Sequence, residues 1–258
     1  MKAPLAWLGR GALRTTRGVG ALTLVATRTV LGLPRMERRE LFRGLVEFGY
    51  GTLGLALTVA ALSGAIVVLQ SALYVERFGA RTFLGWASGY AVLWEFGPLL
   101  LGLVMAARLG ARNAAELATM QVGGQIEGLR GIGLDPFAVL VSPRVVAMEL
   151  SMLALSTFTF LVAILFESIS ALFTLELPLR AFYGTFAHML RPVDILAGVL
   201  KTGAFGLAIS LVSTAVGLRA QGGARAVGQA AARAVVLSCA SIFLLDFLLT
   251  LGLARLWT

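Results

Sequence analysis

The chain has 258 residues, of which 58% are hydrophobic and 14% are charged, and its formal net charge is +9. A soluble domain carries about 25% charged residues, so this composition excludes an ordinary soluble protein and predicts an all-α integral membrane protein. The basic residues are not collected on one polar domain, which argues against a nucleic-acid partner. Five crossings of about 20 residues each, with their connections, use up the chain and leave no room for a separate soluble domain.

Residues 1–47 form a basic segment before the first long apolar run. The segment lacks the apolar core of a secretory signal peptide. In a helix that turns about 100° per residue, four arginines lie on one face and four aliphatic residues lie on the opposite face. The arginines are Arg10, Arg14, Arg17 and Arg28, and the aliphatic residues are Leu5, Leu8, Val19 and Val30. The pattern predicts an amphipathic helix in the membrane interface that ends at Pro34. An Arg-rich organellar transit peptide is the alternative.

Residues 48–258 are predicted to form one membrane domain with five spanning helices. Each span is a long run of apolar residues, and the five cover residues 49–73, 82–107, 145–174, 195–218 and 234–256. In the second span Glu95 is followed closely by Gly97 and Pro98, which predicts a kink near the middle of that helix.

Three charged residues lie inside the apolar runs of three different spans: Glu95, Lys201 and Asp246. Each costs about 2.5–3.5 kcal/mol at the centre of a bilayer, so we expect Lys201 to pair with one or both carboxylates. Such a group either fixes helix packing alone or lines a polar route that meets a lipid headgroup. Glu149 and Glu167 lie nearer the ends of the third span and are expected to reach interfacial water.

The distribution of basic residues predicts the orientation of the chain. Sixteen of the 22 Lys and Arg residues fall in residues 1–47, 108–144 and 219–233. These segments lie on one side of a five-span protein, and basic residues accumulate on the cytoplasmic side. The N-terminus is therefore predicted to be cytoplasmic and the C-terminus to lie on the far side.

The polar loop 108–144 has signals for a short helix. Asn113-Ala-Ala-Glu116 has the form of a capping box, and a helix from there can continue to about Arg130, before Gly131 and Gly133. Asp135-Pro136 then provides an N-cap and a first-turn proline for the next helix. A cytoplasmic helix held between two spans is suited to docking a soluble partner.

Signatures of catalysis and metal binding are missing from the sequence. It has one cysteine, Cys239, and one histidine, His188, and neither Gly123-Gly124 nor Gly222-Gly223 leads into the Gly-Lys-Ser/Thr of a phosphate-binding loop. We therefore expect no catalytic residue, no metal and no cofactor in this chain. If ATP drives the protein, another subunit must bind it.

Several short motifs occur in one order between Glu95 and Thr250. They are Glu95-Phe-Gly-Pro98, Ala107-Arg108-Leu-Gly110, Ala115-Glu116-Leu-Ala-Thr-Met120, Gln125-Ile126, Gly133-Leu-Asp135-Pro136, Ser142-Pro143-Arg144, Lys201-Thr202, Gly222-Gly223-Ala224, Val227-Gly228, Arg233-Ala-Val-Val236, Leu245-Asp246-Phe247 and Leu249-Thr250. In these motifs the chain resembles the MlaE (YrbE) permeases of ABC transporters that move phospholipid between membranes.

The resemblance implies a multi-pass permease subunit in the bacterial inner membrane that moves phospholipid between the inner and outer membranes. Its implied partners are a second copy of the chain, two cytoplasmic ATPases that dock on the 108–144 loop and hold ATP and Mg, and an MCE-domain protein on the periplasmic side. Implied coupling residues are Glu116, Gln125, Asp135 and Pro136. Glu95, Lys201 and Asp246 match the family's intramembrane charges, and Tyr74 and Phe78 would lie near the lipid cavity.

The chain departs from the family pattern at three places. Gly123-Gly124 replaces a usual Thr-Glu, so an acidic contact to the ATPase is lost or is taken over by Glu127. Ala231-Ala232 replaces a Thr-Thr pair, and Arg225 occupies a position that is often acidic or small.

Two hypotheses of other classes remain open. The first is a transporter that works without an ATPase and uses the three intramembrane charges as an ion relay. The second is a membrane-embedded enzyme or scaffold, which the lack of a nucleophile and a base disfavours.

Overall fold

Long helices make up almost all of the structure, a computed structural model that describes residues 3–79 and 81–257. Within these ranges the side chains of residues 3–15, 17, 76, 82, 256 and 257 are not described. The α-helices are α1 (Ala3–Gly32), α2 (Arg38–Leu45), α3 (Gly51–Arg77), α4 (Leu84–Ala91), α5 (Gly97–Met105), α6 (Ala111–Val122), α7 (Gln125–Gly131), α8 (Ser142–Leu175), α9 (Leu179–Met189), α10 (Pro192–Gly217) and α11 (Ala224–Trp257).

Short segments of other helix types join several of these α-helices. In the described part of the chain, π-helical turns cover Val46–Tyr50, Val92–Phe96, Ala106–Gly110 and Phe137–Val141, and 3₁₀ turns cover Leu33–Arg35 and Arg81–Phe83. A π turn replaces the usual hydrogen bonds with wider ones and is often found at functional sites. The π turn at Val92–Phe96 contains Glu95 and directly precedes Gly97 and Pro98, where the sequence predicts a kink.

Among the described residues, five helical runs are long and apolar enough to cross a membrane, which confirms the predicted all-α architecture with five spans. They are Arg38–Val75, Leu84–Val122, Phe137–Leu175, Pro192–Gly217 and Ala224–Arg255. All five are longer than the predicted apolar stretches, because the helices continue beyond these stretches at their ends. The runs alternate in direction, so α1, α6, α7 and the α10–α11 connection lie together. We call this the basic end of the bundle.

Helix α1 ends as predicted, since the 3₁₀ turn Leu33–Arg35 follows it and contains Pro34. The predicted pattern on residues 5–17 involves side chains outside the described part of the structure. In the second half of α1, Arg28 lies 5.4 Å from the ring centroid of Phe137, and the Ser142 hydroxyl donates a 2.9 Å hydrogen bond to the Thr29 carbonyl. This half of α1 is therefore packed against the start of the third span.

The helix predicted for 113–130 is broken into α6 and α7 at Gly123–Gly124. Gly124 has a φ of +70°, a left-handed conformation that glycine adopts without strain. The predicted capping box is wrong: Asn113 is buried inside α6, where its Nδ2 donates to the hydroxyls of Ser213 at 2.8 Å and Thr214 at 3.2 Å. Tertiary hydrogen bonds to α10 thus replace the local cap.

The predicted end of this region and the start of the next helix are both confirmed. Helix α7 ends at Gly131, and Gly133 has a φ of +80°. The Asp135 carboxylate accepts a 3.0 Å hydrogen bond from the Phe137 backbone N–H. Asp135 therefore caps the helix that leads into the third span, as an N-cap residue does.

Helix α10 packs against α5, α6, α8 and α11 and forms the centre of the bundle. Glycines allow its backbone to approach its neighbours closely: a Cβ at Gly198 would overlap the Leu93 carbonyl oxygen, and a Cβ at Gly217 would lie 2.9 Å from the Ala114 carbonyl oxygen. Small residues allow such close contact between membrane helices. The central position of α10 brings Lys201 into the interior.

Candidate functional site

Three spans meet at the side chain of Lys201, which is fully buried. Its Nζ donates hydrogen bonds to Glu95 Oε2 at 2.6 Å and to Thr250 Oγ1 at 2.7 Å. Asp246 Oδ1 lies 2.9 Å from the same Nζ, and because this approach lacks hydrogen-bond geometry we describe it as an ion pair. The predicted pairing of Lys201 with both carboxylates is present. We call these four residues the charge cluster.

The backbone around the charge cluster is shaped by the π turn Val92–Phe96. This turn places the Leu93 carbonyl against Gly198, three residues before Lys201 on α10. Trp94, in the same turn, has its ring centroid 5.8 Å from Lys201 Nζ, within reach of a cation–π interaction. Trp94 also stacks on Tyr90 at a centroid distance of 5.4 Å. An aromatic wall thus closes one side of the charge cluster.

The charge cluster is not sealed on all sides. The Lys201 side chain is 0% exposed and that of Asp246 is 8% exposed, whereas that of Glu95 is 34% exposed. The residues that follow Glu95 and Asp246 in sequence are large, apolar and exposed, since Phe96 and Phe247 are 47% and 65% exposed. Glu95 therefore presents part of a carboxylate on an otherwise apolar face of a membrane helix, where a charge is costly unless water or another polar group meets it.

The two acidic residues of the third span, Glu149 and Glu167, were expected to reach interfacial water. The prediction that Glu167 reaches interfacial water is wrong, because its side chain is fully buried and neither carboxylate oxygen has a hydrogen-bond partner. Glu149 is half-buried, and its Oε2 also lacks a partner. A Cβ at Gly206 would lie 2.6 Å from that oxygen. Both residues are covered by helices that pack on α8, which the position of a residue within an apolar run does not reveal.

A second polar group lies at the basic end and joins three helical segments. Arg144 Nη1 lies 2.7 Å from Glu116 Oε2, and Arg112 Nε lies 2.9 Å from Glu116 Oε1. Arg112 Nη2 also lies 2.6 Å from Glu47 Oε1. We call Glu47, Arg112, Glu116 and Arg144 the basic-end network. Both oxygens of Glu116 are therefore committed to arginines of the same chain.

The remaining predicted coupling residues are not part of this network. Gln125 and Glu127 are exposed on the short helix α7, Asp135 caps the following helix, and Pro136 is buried. Gln125 and Glu127 are thus available to a partner on this surface, and Asp135 is exposed as well but uses one carboxylate oxygen for the cap.

Tyr74 and Phe78 lie at the opposite end of the bundle. Tyr74 is in the last turns of α3 and Phe78 follows this helix, with 62% and 81% of their surfaces exposed. The structure does not bring them into the charge cluster, but it leaves both available to another molecule.

Several residues of the two polar groups were not identified as site residues from the sequence. Thr250 is four residues after Asp246 on the same helix face, so helical spacing could have found it. Trp94 directly precedes Glu95, but only the π turn brings its ring over Lys201. Arg112 and Glu47 are far apart in sequence, and no local signal joins them.

The geometry of the charge cluster can bind and orient a charged group. Among the described residues, no group of three His, Cys, Asp or Glu side chains could hold a metal ion. The only cysteine of the chain, Cys239, lies on α11 and is half-buried. What the structure defines is a multi-pass helical membrane protein with an ionic cluster that joins three spans.

Comparison with known proteins assigns the family. The model of the MlaE permease family matches residues 41–251. A probable ABC transporter permease protein of Rickettsia felis is 31% identical over 94% of this chain and 95% of its own length. The chloroplastic protein trigalactosyldiacylglycerol 1 of Arabidopsis thaliana is 30% identical over 89% of this chain and 66% of its own length. A probable ABC transporter permease protein of Synechocystis is 29% identical over 84% of this chain.

The chain belongs to the MlaE permease family. It is a permease subunit of an ABC transporter, and the resemblance seen in the sequence motifs is confirmed.

Proposed function

We propose that this permease moves phospholipid between the inner and outer membranes of a bacterium, driven by ATP hydrolysis in a separate ATPase. The observation that carries the proposal is the partly exposed carboxylate of Glu95, which lies on an apolar face and is held by the buried Lys201. A lipid has a charged headgroup and apolar chains, and this surface offers both kinds of contact side by side.

The proposed assembly includes a second copy of the chain. A partly exposed carboxylate inside a span is tolerated where it faces a water-filled cavity or a protein partner. Two copies that face each other through α11 and the π turn at Glu95 would enclose such a cavity. Tyr74 and Phe78 would lie near its outer opening, where an MCE-domain protein would receive or deliver lipid.

The proposed mechanism couples the basic end to the charge cluster. In the proposed orientation the basic end is cytoplasmic, in the bacterial inner membrane, because Lys and Arg accumulate on that side. Two ATPases would bind ATP and Mg and dock on α7 through Gln125 and Glu127. Their closure would move α6, which the basic-end network ties to the π turn Val46–Tyr50 and to α8. The movement would narrow the cavity and displace the lipid.

Lipid transfer in a reconstituted system tests the proposal. The chain, tagged at its C-terminus, is purified in mild detergent with the proteins and lipids that accompany it, and the assembly is placed in liposomes with a labelled phospholipid. We expect transfer that requires ATP and an associated ATPase, and Lys201→Ala should impair it while the subunits remain assembled. Transfer by the chain alone, driven by an ion gradient without nucleotide, would instead support the relay hypothesis.

Cysteine cross-linking tests the proposed homodimer independently of transport. In a Cys239→Ser background, Phe247→Cys places a thiol next to Asp246 on the proposed shared face. The matched control is Leu161→Cys on α8, where the native residue is similarly exposed at 62%. We expect a disulfide-linked dimer from Phe247→Cys and none from Leu161→Cys. Equal cross-linking at both positions, or none at either, would contradict this dimer.

A further inference from the structure

A cavity of about 640 Å³ lies at the basic end, separate from the charge cluster. It is bounded by the second half of α1, the end of α10 and the start of α11. Its volume is within the range of about 300–1,000 Å³ that is typical of small-molecule sites. The mechanism proposed above does not use this cavity.

The cavity has a polar rim and apolar walls. Its two charged lining residues are Arg219, two residues after the end of α10, and Arg233, on α11. Gln221 and Gln229 add hydrogen-bonding groups. No lining residue carries a negative charge. A cavity lined by two arginines and by no acidic residue favours an anion, and the guanidinium group matches phosphate geometry especially well.

The walls show which kind of anion fits. Leu22, Val212 and Leu237 line the cavity, and the apolar surface continues along α11 to Leu244 and Leu248, which are 61% and 51% exposed. The distance along the helix from Arg233 to Leu244 is about 16 Å at 1.5 Å per residue. This is about half of the ~30 Å hydrocarbon thickness, the depth that an acyl chain of one leaflet occupies.

We infer that this cavity binds one anionic phospholipid of the leaflet at the basic end. Its phosphate lies between Arg219 and Arg233, and its acyl chains follow Leu237 and Leu244 along α11. Basic pockets between membrane helices recognise anionic headgroups in this way. Binding at this site does not depend on transport of the bound lipid. The proposed orientation is used only to identify the leaflet, which would be the cytoplasmic one. Because α1 forms one wall, the bound lipid would also stabilise the position of α1 against α10 and α11.

Photo-crosslinking tests this site directly. The assembled transporter is placed in phosphatidylcholine nanodiscs with a minor fraction of phosphatidylglycerol that carries a diazirine in its acyl chain. We expect labelled peptides from residues 212–241. Arg233→Gln should weaken phosphatidylglycerol labelling about tenfold, which corresponds to about 1.4 kcal/mol. Arg225→Gln is the matched control, because Arg225 is exposed on the same helix but does not line the cavity, and it should label like the wild type.

A second test places a side chain in the cavity instead of removing a charge, and it has a control variant of its own. A Cβ at Gly18 or at Gly20 would meet no atom within 4 Å, so a side chain can start at either position without a clash at its first atom. Gly18 lines the cavity and Gly20 does not. We expect Gly18→Leu to displace the labelled lipid and Gly20→Leu to leave it bound. Lys201→Ala, which should impair transfer, should not change labelling here.

Three results would overturn the inference. One is equal labelling of the wild type and Arg233→Gln. Another is labelling confined to the surface around Glu95 and Phe247, which would place the bound lipid only in the proposed transport cavity. The third is an efficient disulfide between two copies carrying Ala226→Cys and Cys239→Ser, since a second copy of the chain would then cover the cavity.

Discussion

Lys201 Nζ and Glu95 Oε2 are 2.6 Å apart, although the Lys201 side chain is fully buried and that of Glu95 is one-third exposed. The ammonium group is therefore fixed from inside the bundle, and the carboxylate that it holds faces outward. This arrangement separates the two roles of the charge cluster: Lys201 and Asp246 join the helices, and Glu95 presents a polar surface.

The first prediction concerns the cost of removing Lys201. Lys201→Met keeps the length and apolar stem of the side chain but leaves two carboxylates without their cation. Breaking a buried ion pair in this way costs about 3–5 kcal/mol, so we expect clearly lower thermal stability in detergent, together with impaired lipid transfer.

A triple variant separates packing from transport. Lys201→Met with Glu95→Gln and Asp246→Asn removes all three charges, so we expect most of the lost stability to return. Lipid transfer should remain impaired if the charges meet the headgroup. Normal transfer by a stable triple variant would show that the charge cluster serves packing alone.

The second prediction concerns the close approach of α10 to the π turn. Gly198→Ala would push its Cβ into the Leu93 carbonyl, and overpacking of this kind costs about 1–3 kcal/mol. We expect a lower melting temperature, and displacement of Lys201 from Glu95 should reduce transfer as well. Gly252→Ala on α11 is the control, because a Cβ there meets no atom within 4 Å. An equal effect of both substitutions would contradict the packing described here.

The third prediction distinguishes the basic-end network from the proposed docking surface. Glu116→Gln weakens two ion pairs within the chain, each partly exposed and so contributing at most about 1 kcal/mol. We expect a small loss of stability and little change in the affinity for the ATPase. Glu127→Gln on the exposed helix α7 should leave stability unchanged and weaken ATPase binding in a pull-down titration. The reverse pattern would place docking at Glu116 instead.

The fourth prediction concerns the buried carboxyl of Glu167. Leaving a buried polar group without a partner costs about 1–3 kcal/mol, so Glu167→Met, which keeps a similar volume, should raise the melting temperature. Glu167→Gln should change it less, because the amide also needs partners. If Glu167→Met were stable but unable to transfer lipid, the carboxyl would have a role in transport that the structure does not reveal.

Much of the architecture could be predicted because it depends on local composition. Apolar runs of about 20 residues can only be spans, and Pro34, Gly131 and Asp135 act on the backbone within a few residues of themselves. The pairing of Lys201 followed from the cost of a lone charge in hydrocarbon, which requires a partner of opposite sign. Only two other charged residues, Glu95 and Asp246, were predicted to lie deep enough in the spans to pair with Lys201.

The predictions that failed depended on contacts across the fold. Asn113 had the right spacing for a cap, but it hydrogen-bonds to Ser213 and Thr214 about 100 residues away. Glu167 appeared to lie near a helix end and is nevertheless covered by packed helices. Both errors have one cause, since local spacing does not show which helix faces which.

The sequence by itself determined the class of the protein, the number of its spans and the identity of the charges that must pair, because hydrocarbon imposes a cost on each residue separately. The tertiary structure alone decided that Glu95 is partly exposed, that Thr250 joins the charge cluster with Trp94 beside it, and that Arg219 and Arg233 line one cavity. These relationships depend on how helices distant in sequence are rotated and packed against one another, which is a property of the whole bundle.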